Sequence, residues 1–168
     1  PDLFIDHSLS GKVRDKVIVV TGASSGIGKA TALKMASAGA KVILVARGED
    51  KLLETRKEIE AAGGRAWIYT CDVAELASCD ALVARVLKEH GKCDFLVNNA
   101  GRSIRRGVGN SFDRFHDFER TMQLNYFGSL RLIMGFLPKM MEQKHGHIIN
   151  ISSIGVLTNA PRFSAYVA

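Results

Sequence analysis

Short apolar runs alternate with amphipathic stretches along most of the chain. The first run, Val17-Ile18-Val19-Val20, is continuous and β-branched. It predicts a strand over residues 16–21, buried on both faces as in a parallel sheet. Ala30, Leu33 and Ala36 then recur at helical spacing to about Ala38, and Gly39 stands where a left-handed cap ends a helix. Residues 41–46 read as a second strand. Residues 49–62 read as a helix with Leu52, Leu53 and Ile59 inward, stopped by Gly63-Gly64. A third strand is expected over 65–70. The helix expected over 75–90 lines up Leu76, Cys79, Leu82, Val83, Val86 and Leu87 on one face, and Gly91 ends it. Phe95-Leu96-Val97 centres a fourth strand over 94–98. A loop rich in glycine and arginine follows. A long helical pattern then runs from about Asp113 to Glu142, carrying Phe115, Phe118, Met122, Leu130, Met134 and Leu137. Pro138 is expected to kink it. A fifth strand over 147–151, a loop over 152–161 and the start of another helix complete the chain.

Five such alternations demand right-handed crossovers and a parallel sheet with helices on both faces. The expected fold is α/β, a doubly wound parallel sheet in three layers. Residues 1–14 show no sustained period and read as a lead-in or linker from an upstream domain. Residues 15–168 read as one Rossmann-type domain, continuing past the end of the chain. In such sheets ligands bind at the carboxyl ends of the strands.

Composition narrows the class. At 168 residues there is room for one sizeable core. No apolar run is long enough to span a membrane, and there is no charged-then-apolar leader, so the expected location is the cytoplasm. Cys71, Cys79 and Cys93 are odd in number and lack metal spacing, which reads as reduced thiols. His145 and His147 form a pair without a third ligand, so no metal site is expected. The net charge of +6 is spread along the chain, with no basic tail, which argues against nucleic acid as a partner. Pro1 and Ala168 both look like cut ends.

The chemistry sits at strand ends. Thr21-Gly22-Ala23-Ser24-Ser25-Gly26-Ile27-Gly28 joins the first strand to a helix. Such a turn needs positive φ or a missing Cβ, and the free N–H groups of the helix start attract an anion such as pyrophosphate. An ordinary tight βα turn has the same glycines, so the other strand ends must decide. Arg47 follows the second strand, where a dinucleotide fold presents a residue to the adenosine ribose; a guanidinium there suits a 2′-phosphate and points to NADP(H). The alternative is a solvated arginine. Asp72 can accept from an adenine amino group with Val73 against the ring, or cap the next helix. Asn98-Asn99-Ala100-Gly101 allows close backbone approach to a ribose, or is simply a turn. Asn125 is a poor residue for a helix interior and is either exposed or perturbs the helix to hold a water. Ser153 and Tyr166, thirteen residues apart, can flank a carbonyl, the serine donating to its oxygen and the phenol delivering a proton. A phenol with a pKa of about 10 needs a neighbouring cation for that task.

Together these residues resemble the short-chain dehydrogenase/reductase family, from about Lys16 to Ala168. Thr21-Gly22-x3-Gly26-x-Gly28 is similar to the family's cofactor motif, and Asn98-Asn99-Ala100-Gly101 to its motif after the fourth strand. Asn125, Ser153 and Tyr166 match three of four catalytic residues; the fourth, a lysine, falls past Ala168. The resemblance implies hydride transfer between a nicotinamide and a carbonyl or carbinol carbon. Tyr166 is then the acid/base, Ser153 the oxyanion donor and Asn125 the holder of a relay water. It implies NADP(H) held by Gly22, Ser24, Ser25, Gly26, Ile27, Gly28, Arg47, Asp72, Val73, Asn99, Ala100 and Gly101. It also implies a small carbonyl or alcohol substrate and a homo-oligomer for the complete protein. Without the later strands and the lysine, residues 1–168 alone are expected to show little turnover. The lead-in, Asp2 to Leu9, is similar to the junction before the reductase domain of bacterial two-domain fatty acyl-CoA reductases. Arg102, Arg105 and Arg106 would then meet a phosphorylated carrier. The competing reading is a dinucleotide-binding or scaffold module without turnover.

Overall fold

The computed structural model describes residues 8–158 and 161–167. Five parallel strands form one sheet in the order β3-β2-β1-β4-β5. They are β1 (Val17–Thr21), β2 (Lys41–Ala46), β3 (Arg65–Thr70), β4 (Phe95–Asn98) and β5 (His147–Asn150). The register pairs Val19 with Ile43 on one side and with Leu96 on the other. The chain order reverses between β1 and β4, so the carboxyl ends of these two strands frame a crevice.

The unbroken apolar runs of β1 and β2 are explained by burial on both faces. Val17 and Val19 pack with α4 (Leu76–His90) and α6 (Ser129–Glu142), through Leu82, Val83, Val86, Leu132 and Phe136. Ile18 and Val20 point the other way, against α2 (Gly26–Ser37) and α3 (Glu49–Ala61), through Ala32, Ala36, Leu52 and Ile59. Burying one such large side chain stabilises the fold by about 1.5–3 kcal/mol. Gly91 ends α4 in the left-handed conformation, φ 71°, as its place in the sequence predicts.

Several helix faces differ from the expected ones. In α2 the buried side is Gly28, Ala32 and Ala36, and Ala30 is exposed. Leu53 and Leu76 lie at the exposed edges of their helices, while Thr55 is buried in α3. The stretch expected as one long helix is three pieces: α5 (Phe115–Met122), a π-helical turn (Gln123–Gly128) and α6. The break falls at Asn125. Pro138 lies exposed inside α6 without ending it. The inward side of α6 is Leu132, Phe136 and Met140. Phe115, Leu130, Met134, Leu137 and Met141 instead form an exposed apolar strip.

Within the expected lead-in, residues 1–7 lie outside the described residues, and with them most of the junction. Leu9–Val13 forms a short helix, α1, whose Val13 is buried against the α2 and α3 side of the sheet. After β5, Gly155–Thr158 (α7) and Ser164–Val167 (α8) are helical. All three cysteines are buried free thiols. His145 and His147 bracket the Phe95 ring, His147 stacked at 5.5 Å and His145 edge-on at 6.4 Å. Among the described residues no helix is long and apolar enough to cross a membrane.

Candidate active site

The glycine turn is built as its sequence demands. Gly22 and Gly26 take left-handed backbones, φ 66° and 54°, which side chains rarely adopt. A Cβ at Gly22 would stand 2.8 Å from Asn99 Nδ2, and one at Gly28 would run into the Gly22 carbonyl. Ser25 precedes α2 without a side-chain cap, so the amides of the first turn remain available to an anion. Ser24 is half-buried, and Ile27 is 64% exposed on that turn.

Two residues staple this turn to the end of β4. Thr21 Oγ1 accepts from the backbone N–H groups of Asn99 and Ala100, at 3.0 and 2.9 Å. Asn99 Nδ2 donates to the Thr21 carbonyl at 2.9 Å. The Asn99 side chain is therefore engaged in shaping the crevice. Asn98 reaches across to β5, its Nδ2 donating to Asn150 Oδ1 at 2.9 Å.

Arg47 follows β2 and is exposed; among the described residues it has no ion pair, and neither Glu49 nor Asp50 neutralises it. Asp72 does not cap α4. Its Oδ1 accepts from the Ala74 N–H at 3.0 Å, a local turn, and Glu75 holds the cap position. Val73 is buried beside it. Cys79 Sγ donates to the Val73 carbonyl at 3.5 Å. Ser78 Oγ donates to Cys71 Sγ at 3.4 Å. The neighbouring Cys79 and this hydroxyl draw the Cys71 thiol below its ordinary value against its burial, and Cys79 is pushed up in return. Gln123 Nε2 reaches the Ala74 carbonyl at 2.9 Å, and a Cβ at Gly128 would strike the Val73 carbonyl. Thr21 was named from the sequence as the first residue of the glycine turn, without this role; Gln123 and Gly128 were not singled out there. Gly128 alone carried a signal there, a glycine inside an apolar helical stretch.

Asn125 is half-buried in the π-turn, a feature frequently found at functional sites. Its Oδ1 accepts from the Arg102 N–H and its Nδ2 donates to the Arg102 carbonyl, both at 2.9 Å. Ser153 Oγ accepts from the Gly155 N–H at 3.1 Å. Gly155 sits between the two other candidates: a Cβ there would lie 3.3 Å from Ser153 Oγ and 3.6 Å from the Tyr166 ring. Asn125, Ser153 and Tyr166 line one cavity of about 660 Å³ together with Ile27, Asn99 to Ser103, and Ser152. Arg47, Asp72 and Val73 are not on its wall; they follow β2 and β3, on the other side of β1.

Fold and site thus define a doubly wound, dinucleotide-binding α/β protein with a serine and a tyrosine at the crevice. The short-chain dehydrogenase family model matches residues 16–168, and the chain belongs to that family of oxidoreductases. It is 58% identical over 156 residues to a fatty acyl-CoA reductase of Acinetobacter baylyi, covering 93% of this chain and 53% of that one. It is 49% identical over 154 residues to a fatty acyl-CoA reductase of Mycobacterium tuberculosis, covering 91% and 52%. The chain spans about half the length of these relatives. Among solved structures, a metagenomic short-chain oxidoreductase in complex with NADP superposes with a TM-score of 0.87 at 39% identity, covering 92% of this chain and 70% of that one. An NAD+-bound xylitol dehydrogenase superposes equally well at 31% identity, covering 93% and 60%. The left-handed glycines, the uncapped helix start and the unpaired Arg47 fit a nicotinamide dinucleotide.

Proposed function

We propose that this chain carries the cofactor-binding part and the catalytic tyrosine of an NADP(H)-dependent oxidoreductase. Its substrate is the carbonyl or alcohol carbon of a fatty acyl-CoA or fatty aldehyde. The observation that carries this reading is the single cavity at the β1–β4 crevice that gathers Asn125, Ser153 and Tyr166 beside the glycine turn. Identity to two fatty acyl-CoA reductases supports the substrate class. The open, positively charged end of β2 at Arg47 supports NADP(H) over NAD(H).

In this reading Gly22, Ser24, Ser25, Gly26, Ile27 and Gly28 hold the pyrophosphate on the start of α2. Arg47 takes the 2′-phosphate. The open Oδ2 of Asp72 accepts from the adenine amino group, and Val73 packs near the ring. Asn99 keeps the crevice in shape, and Ala100 and Gly101 let the ribose approach. The bound nicotinamide supplies or accepts the hydride. The Tyr166 hydroxyl gives the proton to the carbonyl oxygen, and the Ser153 hydroxyl donates to that same oxygen. On an aldehyde this yields the alcohol. On a thioester it yields a hemithioacetal, whose C–S bond then breaks to release the aldehyde and the coenzyme A thiol. With its amide tied to Arg102, Asn125 holds a water through the main chain of the π-turn. The exposed strip from Phe115 to Met141 is the surface on which a second copy packs. The three buried free thiols suit a reducing, cytoplasmic setting.

Tyr166→Phe in the full-length protein that carries this chain tests the reading. The expected result is a loss on the order of 10²-fold or more in kcat with NADPH affinity unchanged. A loss under about threefold removes Tyr166 from the proton transfer. Tight NADPH binding with no turnover of any carbonyl substrate would favour a dinucleotide-binding module instead.

A further inference from the structure

The loop after β4 carries three arginines, and the structure separates their roles. Arg106 Nε lies 2.9 Å from Asp117 Oδ2, and Arg114 Nε shares that oxygen at 3.3 Å. Asp117 is only 4% exposed, so the Arg106 charge is directed inward. Arg102 and Arg105 are exposed and have no carboxylate partner among the described residues.

A fourth arginine joins these two. The Arg106 N–H donates to the Arg162 carbonyl at 2.6 Å, and a parallel bridge sets Arg106 against Phe163. In a parallel register the preceding residues, Arg105 and Arg162, are then neighbours. Arg162 is also exposed and without a carboxylate partner, and it holds a left-handed backbone at φ 71°. Such a backbone is strained for a non-glycine residue. Two like charges side by side are unfavourable as well. An anion between them reverses that cost. Arg102 lines the cavity with Asn125 and Tyr166, and Arg162 lies four residues before Tyr166. Of the three, Arg102 is on the cavity wall; Arg105 follows it in the same loop, and the backbone pairing with Arg106 brings Arg162 beside that loop. Arg47 stands beyond β2, across β1 from them, where the adenosine end of a dinucleotide would lie.

We propose that Arg102, Arg105 and Arg162 form a rim that docks the phosphates of a nucleotide-bearing thioester, an acyl-CoA, while its acyl carbonyl lies between Ser153 and Tyr166. This rests on the carbonyl-reducing reading above. A 3′-phosphorylated ADP carries phosphate groups at two places, and guanidiniums bind phosphate by charge-assisted, bidentate bonds. Several neighbouring cations suit such a head better than the single phosphodiester of a protein-bound pantetheine. The same rim gives no advantage to a free aldehyde.

The test is Arg105→Ala combined with Arg162→Gly in the full-length protein. Glycine accepts the left-handed backbone, and Arg102 is kept because Asn125 holds its main chain. Coenzyme A binding is measured by calorimetry. Kinetics are measured with one acyl chain as its CoA thioester, as its phosphate-free N-acetylcysteamine thioester, and as the free aldehyde. The expected result is a rise of about tenfold or more in the Kd for coenzyme A and in the KM for acyl-CoA, equal to about 1.4 kcal/mol per tenfold. The phosphate-free substrates keep their kcat and KM, and Arg105→Lys recovers part of the acyl-CoA effect. An unchanged Kd and acyl-CoA KM overturns the rim while leaving the carbonyl site intact. Equal losses on all three substrates overturn it as well, since the arginines would then act on the fold. If the unmutated protein binds coenzyme A through these arginines but reduces none of the three substrates, the carbonyl reading fails and the rim stands.

Discussion

Asn125 closes a ring on Arg102: its amide oxygen takes the Arg102 N–H and its amide nitrogen gives to the Arg102 carbonyl, both at 2.9 Å. One side chain thereby fixes both main-chain groups of the residue that leads from the β4 end into the arginine loop. Asn125 can reach them because it sits in a π-helical turn, which advances the chain by one residue relative to an α-helix. Two hydrogen bonds of this kind contribute about 0.5–1.5 kcal/mol each. Their effect on geometry is larger, since a misplacement of about 1 Å costs on the order of 10²-fold in rate. Asn125→Ala should lower kcat roughly 10–100-fold in the full-length protein and speed hydrogen exchange at the Arg102 amide. Unchanged exchange at Arg102 would sink the clamp.

The same loop is held at its far end by Asp117. Burial works to raise the Asp117 pKa, but the Arg106 and Arg114 guanidiniums outweigh it and hold the carboxyl below the ordinary range. The folded pKa is therefore lower than the unfolded one. The stability this supplies is fully present above the unfolded value of about 3.9 and is lost as pH falls from there through the folded value. Denaturant unfolding between pH 7 and pH 3 should show this loss in the unmutated protein. Asp117→Asn should be less stable at pH 7, and the gap between the two proteins should close toward pH 3. A gap that stays constant with pH would mean that Asp117 acts by packing alone.

The strands and the glycine turn were legible because each rests on a local signal. Four β-branched residues in a row at Val17 to Val20 suit only a strand covered on both sides. The turn at Gly22 and Gly26 needs positive φ, which only its glycines supply cheaply. The faces of α5 and α6 were not legible, for two physical reasons. Apolar residues occupy both sides: Leu132 and Phe136 are buried, while Met134 and Leu137 are exposed. The π-turn also shifts the helical phase between Met122 and Ser129, so a 3.6-residue period carried across it selects the wrong side. In the site, Ser153 was legible from its place after β5, Asn125 as an asparagine inside a helical pattern, and Tyr166 from its spacing to Ser153. The three line one cavity at the β1–β4 switch point. The part Thr21 plays in stapling the turn, and Gln123 altogether, escaped notice because their work is done on backbone groups distant in sequence, at Asn99 and Ala74. No local pattern records such a contact.

The proposed preference for NADP(H) turns on Arg47. It is exposed at the carboxyl end of β2 and makes no ion pair among the described residues, which leaves its guanidinium open to an incoming phosphate. A carboxylate at this place would instead accept from a ribose 2′-OH and repel a 2′-phosphate. Arg47→Asp should therefore weaken NADPH by about 10–100-fold, or about 1.4–2.8 kcal/mol, and strengthen NADH. Fluorescence titration of both reduced cofactors reads this without turnover. The NADPH affinity of the unmutated protein should fall with added salt, and that of Arg47→Asp should depend on salt far less. NADH binding the unmutated protein more tightly than NADPH, or an Arg47→Asp variant that weakens both alike, would remove Arg47 from cofactor selection.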